Sequence, residues 1–385
     1  MLSVEQLNHP ESYYPLKIFV CDICFLVQVE EVKKVGNIFD GDYTYFSSFS
    51  ASWLAHVQQY VDMMVTRFDL NENSYVIEIA SNDGYLLQYF KRYNIPALGI
   101  DPTVNTAEEA KKKGIDTLVE FFSSELAYNA LAGKGIKADL IIGNNVLAHV
   151  PDINDFVKGM KIVLNKKGVV TMEFPHLLNL VEECQFDTIY HEHLSYLSFY
   201  TVFRIFESQG LEIFDVEAIS THGGSLRIFA KHIEDKSKEV TPNVQKLLQL
   251  ECKRGVNSLL FYNGFQSRIQ KIKYDTLNFL IQQKVKERQV IGYGAASKGN
   301  TLLNYCGIKG ADLVEFVVDA SPFKQNKFLP GSHIQVVAKD EIIKCKPDYV
   351  IILPWNLKNE ISEQLSFIRE WGGQFVIFIP ELSIF

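Results

Sequence analysis

Short apolar runs alternate with stretches in which apolar positions recur every three or four residues, and this alternation persists along most of the chain. Tyr75-Val76-Ile77-Glu78-Ile79-Ala80 reads as a buried strand, Asn82-Asp83-Gly84 as a turn, and Tyr85 to Tyr93 as a helix. Ala97-Leu98-Gly99-Ile100, ending at Asp101, reads as the next strand, and Asp139 to Gly143 and Gly168 to Phe174 as two more. From Thr241 to Glu287 the spacing stays helical, with Lys and Gln marking a solvated face. Val290 to Gly294 then runs as a strand into a Gly-rich turn, followed by strands at Val314 to Val318, Tyr349 to Leu353 and Phe375 to Ile379. Strands separated by helices imply doubly wound parallel sheets, so the pattern predicts an α/β chain with two Rossmann-like domains. The first 67 residues stand apart, with a Cys21-x-x-Cys24 pair, a Tyr/Ser-rich stretch from Asp42 to Ser48 and a helical run from Ser52 to Phe68. The division is therefore 1–67, a small N-terminal segment with a linker helix; 68–235, a first α/β domain; and 236–385, a C-terminal α/β domain.

Composition narrows the function. Of 385 residues 47% are apolar and 22% charged, which is a globular chain with ample core. Lys and Arg number 38 against 46 Asp and Glu, and the net charge of −8 argues against nucleic acid or an anionic membrane as partner. No stretch approaches the roughly 20 apolar residues of a membrane span, and no signal-like opening is present, so a cytoplasmic location is expected. Six sparse cysteines suit reduced thiols.

Candidate chemistry collects at the predicted strand ends. The turn Glu78-Ile79-Ala80-Ser81-Asn82-Asp83-Gly84 lacks GxGxxG and any neighbouring base for a pyrophosphate, so it fits S-adenosylmethionine, which carries no phosphate, better than a dinucleotide. Glu78, Ala80, Ser81, Asn82 and Gly84 would line that cofactor, Asp101 would bond its ribose, and Asn144 and Asn145 follow the strand at Ile142. An ordinary tight turn is the alternative. His149, next along, can move a proton or be a satisfied rim residue. Asp187-Thr188-Ile189-Tyr190-His191-Glu192-His193 is the densest polar cluster; it suits removal of a proton beside a carbonyl, with a His base and a phenol to hold the enolate, or it is a hydrogen-bonded structural loop. The Gly292 to Thr301 loop, with Ser297, Lys298 and Asn300, makes a diphosphate site, and Trp355 either shares its rim or belongs to the core. NAD is the competing ligand for that loop. Cys21 and Cys24 are half of a zinc site, which needs four ligands.

Together these segments resemble the S-adenosylmethionine-dependent C-methyltransferases that act on nucleotide-linked 4-keto-deoxysugars. The resemblance rests on the CxxC stretch at Cys21, Tyr43-x-Tyr45-x-Ser47-Ser48, Glu78 to Gly84, Asn145 to Pro151 and Met172-Glu-Phe-Pro-His176. It continues through Phe186 to His193, Thr221-His-Gly-Gly-Ser-Leu-Arg227, Gly292 to Gly299, Val318 to Pro322 and Ile352 to Leu357. It implies a zinc-binding N-terminal domain, a cofactor-binding methyltransferase domain and a C-terminal α/β domain contacting the sugar nucleotide. It also implies that Tyr190 and His193, with His149 and Glu192 near, carry the sugar chemistry, that Tyr45 and Asn145 line the pocket, and that Ser297 and Lys298 meet the diphosphate. The family's first CxxC has no counterpart here, so the N-terminal segment is expected to be truncated or to have lost its metal. Two other readings remain: an NAD-dependent sugar-nucleotide oxidoreductase using the Gly292 loop, and a nucleotide-sugar binding protein without chemistry. The substrate partner expected is a nucleotide-linked 4-keto sugar, taken by a monomer.

Overall fold

The computed structural model describes residues 1–32 and 45–385, so Tyr43 of the Tyr/Ser-rich motif lies outside the described residues. Two compact units interleave along the chain: one holds 17–177 and 191–261, the other 1–16, 178–190 and 262–385. The sequence division into consecutive stretches differs from this, because the helix Pro242–Arg254 belongs with the first unit and residues 178–190 with the second.

In the first unit, strands β1 (Ile18–Val20) and β2 (Val27–Val29) form a hairpin. The main sheet takes β3 (Val76–Ile79), β4 (Ala97–Ile100), β5 (Asp116–Leu118), β6 (Ala138–Asn144) and β7 (Leu164–Pro175). The short β8 (Ser195–Tyr196) pairs with β2, while β9 (Leu211–Ile219) and β10 (Ser225–His232) complete the main sheet. Its order is β5-β4-β3-β6-β7-β10-β9, parallel from β5 to β7 and antiparallel thereafter. The near-continuous apolar runs follow from coverage on both faces. Alternation then sorts the side chains: Val76, Leu140, Ile142 and Val169 join one core, and Ile77, Ile141, Val170 and Met172 the other. By the same period Glu78 lies on the Val76 face.

That face is covered by the helix Ala51–Arg67, whose N-cap Ser50 accepts a bond from Trp53 N and whose Val57, Tyr60, Val61 and Met64, at i, i+3, i+4 and i+7, are buried. On the other face Ile153–Val163 buries Ile153, Phe156, Val157, Met160 and Val163, with Asp152 as its cap. The expected helix over Tyr85 to Tyr93 is instead a set of turns closing into a 3-10 helix, Leu87–Tyr93. Three positive-φ residues, Ala80, Asn82 and Gly84, precede it and leave no regular entry for an α-helix.

In the second unit β11 (Val290–Tyr293), β12 (Val317–Val318), β13 (Val336–Val337), β14 (Tyr349–Ile352), β15 (Gln374–Ile377) and β16 (Ser383–Ile384) stand in the order β13-β12-β11-β14-β15-β16, with only β16 antiparallel. The chain is thus α/β, with two doubly wound sheets. The strand expected at Val314 shrinks to Val317–Val318, and the helical stretch after Thr241 breaks at Gly255 and Gly264, both at positive φ, into Pro242–Arg254 and Phe265–Val285.

Candidate functional site

Where β3 ends, the chain leaves the first sheet through left-handed backbone at Ala80 (φ 60), Asn82 (φ 47) and Gly84 (φ 72). A side chain at Gly99 on the neighbouring strand would collide with Ser81, so glycine there lets the turn sit close. Asn82 N donates to Asp101 Oδ2 at 2.8 Å, and Asp101 Oδ1 accepts from Thr103 N at 3.0 Å and from the hydroxyls of Thr103 and Thr106. Asp101 therefore binds the turn together, and only Oδ2 keeps acceptor capacity for a ribose. Above the turn, Ser47 N donates to Asn82 Oδ1 at 2.9 Å and Asn82 Nδ2 to Tyr45 O at 3.1 Å. Lys113 Nζ adds bonds to Ser48 Oγ (2.6 Å), Asp83 O (2.8 Å) and Asp83 Oδ2 (3.0 Å). Tyr45 is about half exposed, and the burial of its phenol raises it above its ordinary value.

Several buried polar atoms at this edge have no hydrogen-bond partner: Ser81 Oγ, Asp83 Oδ1, both side-chain atoms of Asn144, and Asn145 Oδ1; the buried Glu78 carboxyl is met by the Tyr85 phenol. Burial pushes the Glu78 carboxyl well above the usual range. Acceptor-rich, acidic and glycine-lined, the edge fits S-adenosylmethionine, whose sulfonium and ammonium need acceptors rather than cations. It suits a pyrophosphate poorly, since its Lys113 is committed to Asp83.

At the end of β6, Asn145 turns through φ 55 and its N–H donates to Glu173 O at 2.8 Å. Leu194 N donates to Ala148 O (2.7 Å), and His149 Nδ1 donates to Glu192 O (2.8 Å), so residues 192–194 are held against 148–149. This brings the imidazoles of His149 and His193 to 4.8 Å, edge to face. A carbonyl only accepts, so the proton of His149 is on Nδ1 and the lone pair on Nε2. Burial lowers His149 to about 4 and keeps it neutral, and it also raises the Glu192 carboxyl. Tyr190 is assigned to the other compact unit.

Behind β6, Arg227 holds Glu173 through Nε (2.7 Å) and Nη2 (2.5 Å), and His56 Nε2 lies 3.1 Å from the second Glu173 oxygen. Burial would raise Glu173, but His56 and Arg227 outweigh it and hold the carboxyl below its ordinary value. The Trp53 ring stacks on His56 at 5.0 Å and on Tyr85 at 6.1 Å, and meets His222 edge-on at 5.4 Å.

In the second unit Asp187 is fully buried and accepts from Trp355 Nε1 at 2.8 Å. Lys298, in the first turn of the helix Ser297–Cys306, lies 5.0 Å over the Trp355 ring and 3.4 Å from Asn356 Oδ1. Burial raises Asp187 to about 6 against the pull of Lys298, and lowers Lys298. Trp355 is therefore a core residue with a polar task, while Ser297 is exposed and Asn300 half-buried. In the Gly292 loop, Ala295 N is taken by Asp319 Oδ2 at 2.8 Å.

Cys21 and Cys24 sit on the β1–β2 connection, where Cys21 N donates to Leu26 O and Phe25 N to Cys21 O. Among the described residues no group of three or more His, Cys, Asp or Glu is arranged to hold a metal, and no helix is long and apolar enough to cross a membrane. Sequence reasoning missed Lys113, Trp53 and His56, and quoted Glu173, His222 and Arg227 within motifs without giving them a role. Lys113 sits in Lys111-Lys112-Lys113, a run that looks like any solvated face, and the rest lie up to 171 positions from their partners.

The chain is similar to known methyltransferases. Residues 53–216 match the methyltransferase domain family, and residues 220–380 the C-methyltransferase C-terminal domain family. The chain is 33% identical to C-methyltransferase NovU of Streptomyces niveus over 371 residues, 96% of this chain and 87% of that protein. It is 26% identical over 121 residues to the ubiquinone biosynthesis O-methyltransferase of Bartonella quintana, 30% of this chain and 49% of that protein. An S-adenosylmethionine-dependent methyltransferase from Clostridium acetobutylicum aligns with TM-score 0.39 and 11% identity, covering 46% of this chain and 92% of that one. The two family models and the relative at 33% identity give the oxidoreductase alternative no support.

Proposed function

The chain belongs to the S-adenosylmethionine-dependent C-methyltransferases, and on that premise we propose that its acceptor is the carbon beside the ketone, C3, of a nucleotide-linked 4-keto-deoxysugar. The observation that carries this reading is the pinning of residues 192–194 against 148–149, which pairs two imidazoles at 4.8 Å near the carboxyl end of β6. An isolated C–H is far too weak an acid for a side-chain base, whereas one beside a ketone can be deprotonated if the enolate is held. His193 takes that proton, and the bonding pair moves toward the carbonyl oxygen, making the carbon nucleophilic. His149 stays neutral, so the imidazolium forming on His193 meets no like charge from it. Tyr190 steadies the enolate oxygen with Glu192 near, and Tyr45 and Asn145 line the pocket. Bound S-adenosylmethionine supplies an electrophilic methyl group. Glu78, Ala80, Ser81, Asn82, Gly84, Asp101, Asn144 and Asn145 would hold it, and Ser297, Lys298, Asn300 and Trp355 serve the nucleotide portion of the substrate.

Two measurements test this. Mass spectrometry after incubation with a panel of nucleotide-linked 4-keto sugars and S-adenosylmethionine should give a product one methylene heavier; no gain with any member would end the substrate reading. His193→Asn should bind both ligands yet slow methyl transfer roughly 10²–10⁴-fold, the worth of one general base. It should equally slow exchange of the sugar α-proton with deuterated solvent, a half-reaction that needs no methyl donor. Intact exchange in His193→Asn would move the base elsewhere.

A further inference from the structure

The non-glycine residues at positive φ at the carboxyl end of the first sheet include Ala80 and Asn82 in the cofactor turn, Asn145 (φ 55) after β6, and His222 (φ 54) in the loop before β10. Such backbone is uncommon for any residue but glycine, though histidine adopts it more readily than most, and it persists where surrounding contacts over-determine it. Around His222 those contacts are specific. Its Nε2 lies 3.1 Å from Asn145 Nδ2, and its ring meets Trp53 edge-on at 5.4 Å. Trp53 is itself fixed between His56, which is bonded to the buried Glu173, and Tyr85. An amide nitrogen only donates, so His222 accepts at Nε2, and the bond fixes which way the Asn145 amide is turned. Its other atom, Oδ1, is buried without a protein partner at the edge where the orphaned Asn144 Oδ1 and Ser81 Oγ also lie.

We infer that His222 is a positioning residue for methyl transfer: it holds the Asn145 amide so that Oδ1 is presented to the bound ligands. This rests on the placement of Asn145 in the pocket proposed above. The loop Thr221-His222-Gly223-Gly224 is built for the purpose. Gly223 (φ 87) and Gly224 (φ 104) let the chain double back into β10. Gly224 O accepts from His176 N at the end of β7, tying the loop to the strand beside β6.

The test is a double-mutant cycle on the full-length enzyme, read both as turnover and as the dissociation constant of S-adenosylmethionine by calorimetry. Asn145→Ala and His222→Ala should each slow turnover tenfold or more and change cofactor affinity by a similar factor. The double variant should be no more than two- to threefold worse than either single one. His222→Asn is the control for folding, because asparagine tolerates the left-handed backbone but is too short to reach Asn145. It should melt like the parent and be as slow as His222→Ala. Multiplying losses in the double variant, or parental turnover in His222→Asn, would overturn the inference while leaving the pocket reading intact. Parental turnover in Asn145→Ala would overturn both.

Discussion

His149 and Asp187 both lose water on folding, and the loss leaves opposite pH signatures. His149 falls from an ordinary 6.5 to about 4, so as the pH drops below 6.5 the unfolded chain takes up a proton that the folded chain refuses. Its contribution to stability is whole above about 6.5 and is lost as the pH falls toward 4. Asp187 rises from 3.8 to about 6, so its contribution is whole below about 3.8 and is lost as the pH rises toward 6. In the shared window the two slopes oppose, each with a ceiling of about 1.4 kcal/mol per pH unit. Relative to the parent, His149→Asn should therefore gain in urea midpoint on going from pH 7 to pH 5, and Asp187→Asn should gain on going from pH 5 to pH 7. If both variants track the parent at every pH, neither group titrates as described.

At the scale of elements, Arg227 on β10 joins Glu173 on β7 to Glu217 on β9 and lies over Tyr60 of the helix Ala51–Arg67 at 4.8 Å. Removing one partner of a buried pair strands the other charge, at a cost of about 3–5 kcal/mol. Arg227→Met should lower stability by about that amount in chemical denaturation, and Glu173→Gln in the same chain should recover much of it. A double variant as unstable as the single one would mean that packing of the guanidinium, not charge, is what is lost. This network also shows why some elements were legible and others were not. Strands β3, β4, β6 and β7 announce themselves as apolar runs, because sheets covered on both faces leave no polar alternation to confuse the pattern. The turn at Glu78 to Gly84 and the His149 and His193 segments were legible as dense polar residues at strand ends. The break of the long helical stretch at Gly255 and Gly264 hides in sequence, since a lone glycine is tolerated in a helix and ends one only when the following chain packs elsewhere. His56 and Lys113 were invisible for a related reason: an ordinary charged residue becomes special only through a partner such as Glu173 or Asp83, distant in sequence.

For the whole molecule, the proposed determinants of the two ligands fall in different compact units. Glu78 and the orphaned acceptors at Ser81, Asp83, Asn144 and Asn145, with the Lys113 clamp on Ser48 and Asp83, belong to the unit holding residues 17–177. Lys298, Asp187 and Trp355 belong to the unit holding 178–190 and 262–385. Substitutions that share no partner act independently, so the two affinities should respond to different variants. Lys113→Met loosens the cofactor turn and should weaken S-adenosylmethionine about tenfold, the worth of one charged hydrogen bond, with little change in sugar-nucleotide affinity. Lys298→Met strands the buried Asp187 carboxylate, so it is best made in an Asp187→Asn chain, which removes that charge and keeps an acceptor for Trp355 Nε1. Compared with Asp187→Asn alone, the double variant should lose tenfold or more in affinity for the sugar nucleotide and keep its dissociation constant for S-adenosylmethionine. Equal loss of both ligands would show that Lys298 supports the fold rather than the diphosphate. Unchanged binding of both would confine the ammonium to its contact with Trp355 and Asn356, and would leave the exposed Ser297 and the first turn of its helix to meet the substrate alone.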